Sequence, residues 1–122
     1  MLSRFKIHRH KTNRTHFDLR LIHEETLRSW SMLKQPPIKS GERRLAIERE
    51  TLETSRIDGR RFEEQAFGEG GVYTWDEGDV ALLTSEPDRF VLEFHGGKLV
   101  GRYELRRMRW YPGNRWLFEK TA

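Results

Sequence analysis

Cysteine is absent from all 122 residues, which excludes disulfide scaffolding, thiolate zinc sites and a cysteine nucleophile together. No stretch approaches the ~18 apolar residues of a membrane-spanning helix, and the opening MLSRFKIHRHKT holds no apolar run of signal-peptide length. A reducing interior suits such a chain, so the expectation is a soluble cytoplasmic protein with no membrane partner. Helical periodicity is scarce, and internal repeats, low-complexity tracts and linkers are missing. The chain is long enough for one core and too short for two ordinary domains, so residues 1–122 are expected to form a single domain.

What is present is charge and aromatic bulk. About a third of the residues are charged, with a net charge of +4 and a pI near 9.7, a balance that favours polyanionic partners. Four Trp, seven Phe and three Tyr supply a small aromatic-rich core. Short segments of period-2 patterning recur: RFKIHRH, THFDLRLIH, LRSWSMLK, RRLAIERE, GVYTWD, RFVLEFHG, KLVGRYELRRM and NRWLFEKT all read as strands. Turn-forming clusters separate them at 35–42, 67–71, 76–79, 86–88, 95–98 and 111–114, with HGGK the clearest hairpin signal. Residues 48–66 are polar and weakly periodic, with a middle open to either a short helix or an irregular loop. The fold expected is mainly β, a single-domain antiparallel barrel of about eight strands with little helix.

On the strand that begins near Thr15, side chains alternate across the sheet. His16, Asp18 and Arg20 therefore share one face, and Phe17, Leu19 and Leu21 the other. The apolar row needs a core. The polar row has two readings: it faces solvent, as on many half-buried strands, or it lines a cleft in which imidazole and carboxylate hold a divalent ion and the guanidinium grips phosphate. Upstream, His8 and His10 lie two apart in HRH. His10 is the better third ligand, with His8 a neighbour on the same strand face. Two histidines and an aspartate leave coordination positions open, as catalytic metal sites do.

The spacing of His10, His16, Asp18 and Arg20 resembles that of the 3'-phosphoesterase domain of bacterial DNA ligase D, the end-joining ligase, and its free-standing archaeal and bacterial relatives. HRHKTNRTHFDLRLI is similar to that family's QKHxAxxLHYDLRLE, and LRSWSMLKQPP to its LKSWAVPKGPS. GERRLAIERE resembles DKRLAVxVED, and FGEGGVYTWDEG resembles YGAGxVxVWDxG. LEFHGGKLVGRYELRRM resembles FxLxGxKLxGxWxLxRM, and NRWLFEKT resembles NWLLIKH. The resemblance implies His10, His16 and Asp18 as metal ligands, Arg20 as a phosphate contact, and Lys34 and Arg44 at the family's active-site lysine and arginine. It implies a manganese-dependent trimming of DNA or RNA/DNA primer-template 3' ends, removing a terminal ribonucleoside and then a 3'-phosphate. Zinc or cobalt would suit the same donors. A separately encoded ligase or polymerase is the implied partner.

Departures from the pattern bear on activity. The family's EDHPxDY segment aligns with RETLETSR, which puts Leu52 where the catalytic histidine is expected; Glu48, Glu50 or His23 are conceivable substitutes. PEGxYGAG aligns with EEQAFGEG, so the family's tyrosine becomes Phe67. The arm that precedes the first strand in longer members is expected to be missing. A slow enzyme, or a binding module that recognises 3' ends or recruits a ligase, is therefore the alternative to a full phosphoesterase; a plain barrel without metal would leave the ligand cluster unexplained. Nucleic-acid contacts are expected from Arg14 and from Arg102, Arg106, Arg107 and Arg109, with Arg115 nearby, interleaved with Tyr103, Trp110, Tyr111 and Trp116. The competing reading is a charged edge strand with Trp110 or Trp116 in the core. Trp30 and Trp75 are expected to pack rather than stack on bases.

Overall fold

A computed structural model of the chain describes residues 2–11, 14–24, 26–49, 52–53 and 72–122. Every regular element among them is a strand: β1 (Leu2–Lys11), β2 (Thr15–His23), β3 (Thr26–Met32), β4 (Arg43–Glu48), β5 (Leu52–Glu53), β6 (Val72–Glu86), β7 (Arg89–Gly96), β8 (Val100–Arg107) and β9 (Arg115–Lys120). Pairing runs β2-β1-β6-β7-β8-β9-β4-β3, and β2 pairs with β3 as well, which closes an eight-stranded antiparallel barrel. The short β5 takes up the edge of β3 that β4 has left, with Leu27 opposite Leu52. Closure hides the edges of the barrel strands. No helix among the described residues is long and apolar enough to cross a membrane.

Alternation fills the interior. Phe5 and Ile7 of β1, Phe17, Leu19 and Leu21 of β2, Trp30 and Met32 of β3, and Phe90, Leu92 and Phe94 of β7 are buried in one cluster with Tyr103, Leu105, Trp116 and Phe118. Its rings meet mostly edge to face, with the Trp30 and Trp116 centroids 5.4 Å apart, the geometry that ring quadrupoles favour. Arg28 lies over this cluster, its guanidinium 5.0 Å from the Phe90 centroid and 5.2 Å from those of Trp30 and Trp116. Its Nε and Nη2 both donate to Glu48 Oε2, at 2.9 and 2.6 Å. Of the tryptophans, Trp30 and Trp116 are core residues, Trp75 packs partly buried against the core, and Trp110 is exposed.

The turn expected at DEGD does not form, because β6 runs straight through it to Glu86. Two neighbours hold that stretch extended: Gly78 pairs with Phe5 of β1 and Gly96 of β7, and Asp79 with Arg4 and His95. The register shift between Ile7 and His8 leaves Trp75 as an extra residue on β6, a bulge of the kind that bends a strand at a barrel wall. The expected turns at 86–88, 95–98 and 111–114 lie between strands as read. The FGEGG turn, Phe67 and most of the irregular 48–66 stretch fall outside the described residues, apart from β5 and the residues before Glu50.

Tyr103 is fully buried and its hydroxyl donates to the Pro37 carbonyl at 2.6 Å. Burial, then the negative charges of Asp76 and Glu42, push its phenol from 10.0 up to about 12. A raised pKa stabilises the fold in full below pH 10, and that contribution fades as pH rises toward 12, since the unfolded chain ionises first. Roughly 2–3 kcal/mol is involved. Thermal melts from pH 9 to 12 should show this alkaline loss in the wild type and its disappearance in Tyr103→Phe, which is less stable at neutral pH by the lost hydrogen bond, about 1 kcal/mol. An identical alkaline slope in both proteins would assign the loss to another group.

Candidate metal centre

The apolar faces of β1 and β2 go inward, so the residues between them share the outer wall. Across the two strands His10 faces His16, His8 faces Asp18 and Lys6 faces Arg20, while β3 brings Ser31 opposite Asp18 and Ser29 opposite Arg20. The nitrogen and oxygen donors of His10, His16 and Asp18 lie within 4.8 Å of one another. Asp18 Oδ2 is 3.3 Å from His16 Nε2 and 4.0 Å from His10 Nδ1, and the two imidazole centroids are 4.7 Å apart. Antiparallel pairing with a two-residue period is what turns a sequence spacing into this cluster.

Supporting groups fix the cluster from both sides. Ser31 Oγ donates to Asp18 Oδ1 at 2.6 Å, which leaves Oδ2 turned to the histidines. His8 is buried on the same wall, and its Nδ1 accepts from Arg20 Nε at 3.1 Å, so its ring proton sits on Nε2. Burial lowers the Arg20 pKa from its usual value, and the neighbouring Asp18 carboxylate works against that shift; a guanidinium remains charged throughout. His10 Nε2 is buried without a hydrogen-bond partner among the described residues, a costly position for a nitrogen unless something else takes its lone pair or proton. Two imidazoles and one carboxylate are a borderline donor set that accepts manganese, zinc or cobalt alike. The three residues thus form a group able to hold a divalent ion.

Residues 8–107 match the family model of the DNA ligase D 3'-phosphoesterase domain. The chain belongs to the DNA ligase D 3'-phosphoesterase domain family. It is 34% identical over 119 residues to the multifunctional non-homologous end joining protein LigD of Mycobacterium bovis, covering 93% of this chain and 15% of that protein. With the protein of the same name from Pseudomonas aeruginosa it is 31% identical over 115 residues, 87% of this chain and 13% of the relative. The chain therefore spans about a seventh of the curated relatives it matches, and the likeness concerns this one domain.

Within the ligase D phosphoesterase barrel, the residues expected at the site divide into two sets. His10, His16, Asp18 and Arg20 line one cavity of about 370 Å³ with Ser29, Ser31 and Arg49. Lys34 and Arg44 line an adjoining groove that shares only Ser31 with it. Arg44 is bound locally: its Nε donates to the Gln35 carbonyl at 2.6 Å and its Nη1 to the Arg43 carbonyl at 2.8 Å. Arg14 is exposed just before β2, at the end of the wall that carries His10 and His16. Arg102 and Arg106 are exposed on β8, halfway around the ring from β2. Arg106 pairs with Glu104, while Arg107 and Arg109 pair with Asp88.

Two of the suggested substitutes for the family histidine are engaged elsewhere. Glu48 is committed to Arg28, His23 bonds Ser3 at 2.9 Å, and Glu50 is outside the described residues. Leu52 belongs to β5, paired to β3. Sequence reasoning missed Arg49, which reaches the cavity from the end of β4, its Nε donating to Ser31 Oγ at 3.1 Å. The signal was the register of β4 against β3, where Ile47 faces Ser31; no property of Arg49 alone distinguishes it from a surface charge.

Proposed function

We propose that this domain is a metal-dependent 3'-end-healing phosphoesterase, a hydrolase acting on DNA or RNA/DNA 3' ends during end joining. The supporting observation is the convergence of His10, His16 and Asp18 within 4.8 Å in a cavity shared with Arg20. When bound, a divalent ion such as manganese supplies Lewis-acid polarisation of a phosphoryl oxygen. The chain's own part is to bind and orient. Arg20, held by His8, offsets charge on the phosphoryl oxygens, and Ser31 keeps one Asp18 oxygen toward the histidines. Lys34 and Arg44, in the adjoining groove, are assigned to the substrate beyond its terminal phosphate. Arg14 contacts the strand near its end, and Arg102, Arg106, Arg107 and Arg109 contribute general attraction to the polyanion. The reading includes removal of a 3'-phosphate, a 3'-terminal ribonucleoside or both, in the cytoplasm beside a separately encoded ligase or polymerase.

A second reading follows from Leu52 at the position aligned with the family's histidine: a domain that recognises 3' ends with feeble or no chemistry. One experiment separates them. Purified protein is incubated with manganese and labelled primer-templates ending in a 3'-phosphate or a single ribonucleotide. Conversion to a 3'-hydroxyl is the expected result. Tight binding of metal and DNA without conversion would transfer the assignment to the recognition module, and the lack of both would dismiss the site.

A further inference from the structure

We infer that Arg49 is a second phosphate-gripping guanidinium of this cavity, and that with Arg20 it makes the site selective for a terminal phosphomonoester. The inference rests on the reading above and adds the class of end that the site prefers. Arg20 and Arg49 reach the cavity from opposite sides: Arg20 from β2, Arg49 from the end of β4, with Ser29 and Ser31 of β3 between them. They are the cavity's two permanent cations among the described residues.

Arg49 is anchored without being used up. Its backbone N–H donates to the Ser29 carbonyl at 2.8 Å, and its Nε donates to Ser31 Oγ, which in turn donates to Asp18 Oδ1. Both Nη groups have no hydrogen-bond partner among the described residues, and the side chain is exposed. A guanidinium held through Nε presents its Nη edge in a fixed plane, which suits paired oxygens of a tetrahedral anion. A phosphomonoester carries close to two negative charges at neutral pH and three non-bridging oxygens. A diester carries one charge and two such oxygens. Two guanidinia on opposite sides of one cavity therefore favour the monoester, whereas a 3'-hydroxyl end offers them only the internal diester. Arg49 cannot pass a proton at working pH, so its part is charge and orientation.

The test measures binding in EDTA, where turnover is blocked, using fluorescence anisotropy of one oligonucleotide sequence ending in 3'-phosphate or 3'-hydroxyl. Wild type is expected to bind the phosphate end at least about tenfold more tightly, the scale of one charge-assisted bidentate pair. Arg49→Ala should reduce that ratio to about twofold or less, weakening the 3'-phosphate end far more than the 3'-hydroxyl end, which loses only one contact to its internal diester, and Arg49→Lys should fall between, having charge without the fork. A ratio that survives in Arg49→Ala overturns the inference. So does a loss of manganese affinity in that variant with the ratio intact, since Arg49 would then act only through Ser31 and Asp18. Wild type without a preference, yet converting ends in manganese, refutes the inference and leaves the phosphoesterase reading standing; wild type that neither binds nor converts either end removes both.

Discussion

His16→Ala is expected to abolish metal-dependent conversion of 3' ends, lowering the rate by at least a hundredfold, while the barrel stays folded. The two effects separate because of where the ring sits. His16 lies on the outer wall, partly exposed and opposite His10, so its removal opens no cavity in the core and should cost well under the ~1 kcal/mol typical of point substitutions. Its ring, with Nε2 3.3 Å from Asp18 Oδ2, supplies one of the cluster's three donors among the described residues. Two remaining donors on adjacent strands hold a divalent ion far more weakly. Melting curves supply the control: wild type should gain stability as manganese is raised, because an ion that binds only the folded chain stabilises it by mass action. The variant should melt at one temperature with or without the ion. Unchanged manganese affinity in His16→Ala would eliminate the ion site at these residues, whatever the family.

The face that holds the His10, His16 and Asp18 cluster was legible because it depends on a period of two. THFDLRLIH sorts itself into Phe17, Leu19 and Leu21 inside and His16, Asp18 and Arg20 outside, and the apolar half leaves no second choice once a barrel exists. On β1 the same alternation puts His8 and His10 on one face, and the pairing of His10 with His16 is what brings His10 into the cluster. What the alternation could not supply was which strands adjoin. Arg49 and Ser31 enter the cavity through the β3–β4 and β2–β3 registers, facts of pairing rather than of local pattern. Arg44 illustrates the reverse case: it alternates with Arg43 and Leu45, opposite the inward Phe118, and lines the adjoining groove and not the cavity of His10, His16 and Asp18. Glu48 shares that inward phase, which is why it meets Arg28 and not the metal cluster. The DEGD stretch reads as a turn by composition, and only pairing on both flanks keeps it in β6.

Asp76, within that stretch, is expected to matter most to the β7–β8 turn. Asp76→Ala is expected to cost roughly 3 kcal/mol or more and to lower the melting temperature by about ten degrees. Its buried carboxylate accepts three backbone N–H groups of the β7–β8 turn: Oδ1 from Gly97 at 2.8 Å, and Oδ2 from Lys98 at 3.0 Å and Leu99 at 2.7 Å. Hydrogen bonds to a charged acceptor are each worth about 1.5–3 kcal/mol, and losing the acceptor strands donors that the fold has removed from water. The sequence around it is fitted to this contact. A side chain at Gly96 would run into the Asp76 carboxylate and the Phe5 ring, and Lys98 Nζ returns to the Trp75 carbonyl at 2.9 Å. The hairpin that HGGK promises is therefore held from a third strand, β6. That strand also pairs with β1, opposite the edge that β1 gives to β2, so loss of Asp76 should loosen the barrel next to the candidate metal cluster without touching His10, His16 or Asp18. Urea unfolding should show the lower midpoint, and below it manganese affinity should match wild type. A variant as stable as wild type would mean that water replaces the carboxylate at the turn, and that the turn is not what ties β6 to the β7–β8 hairpin.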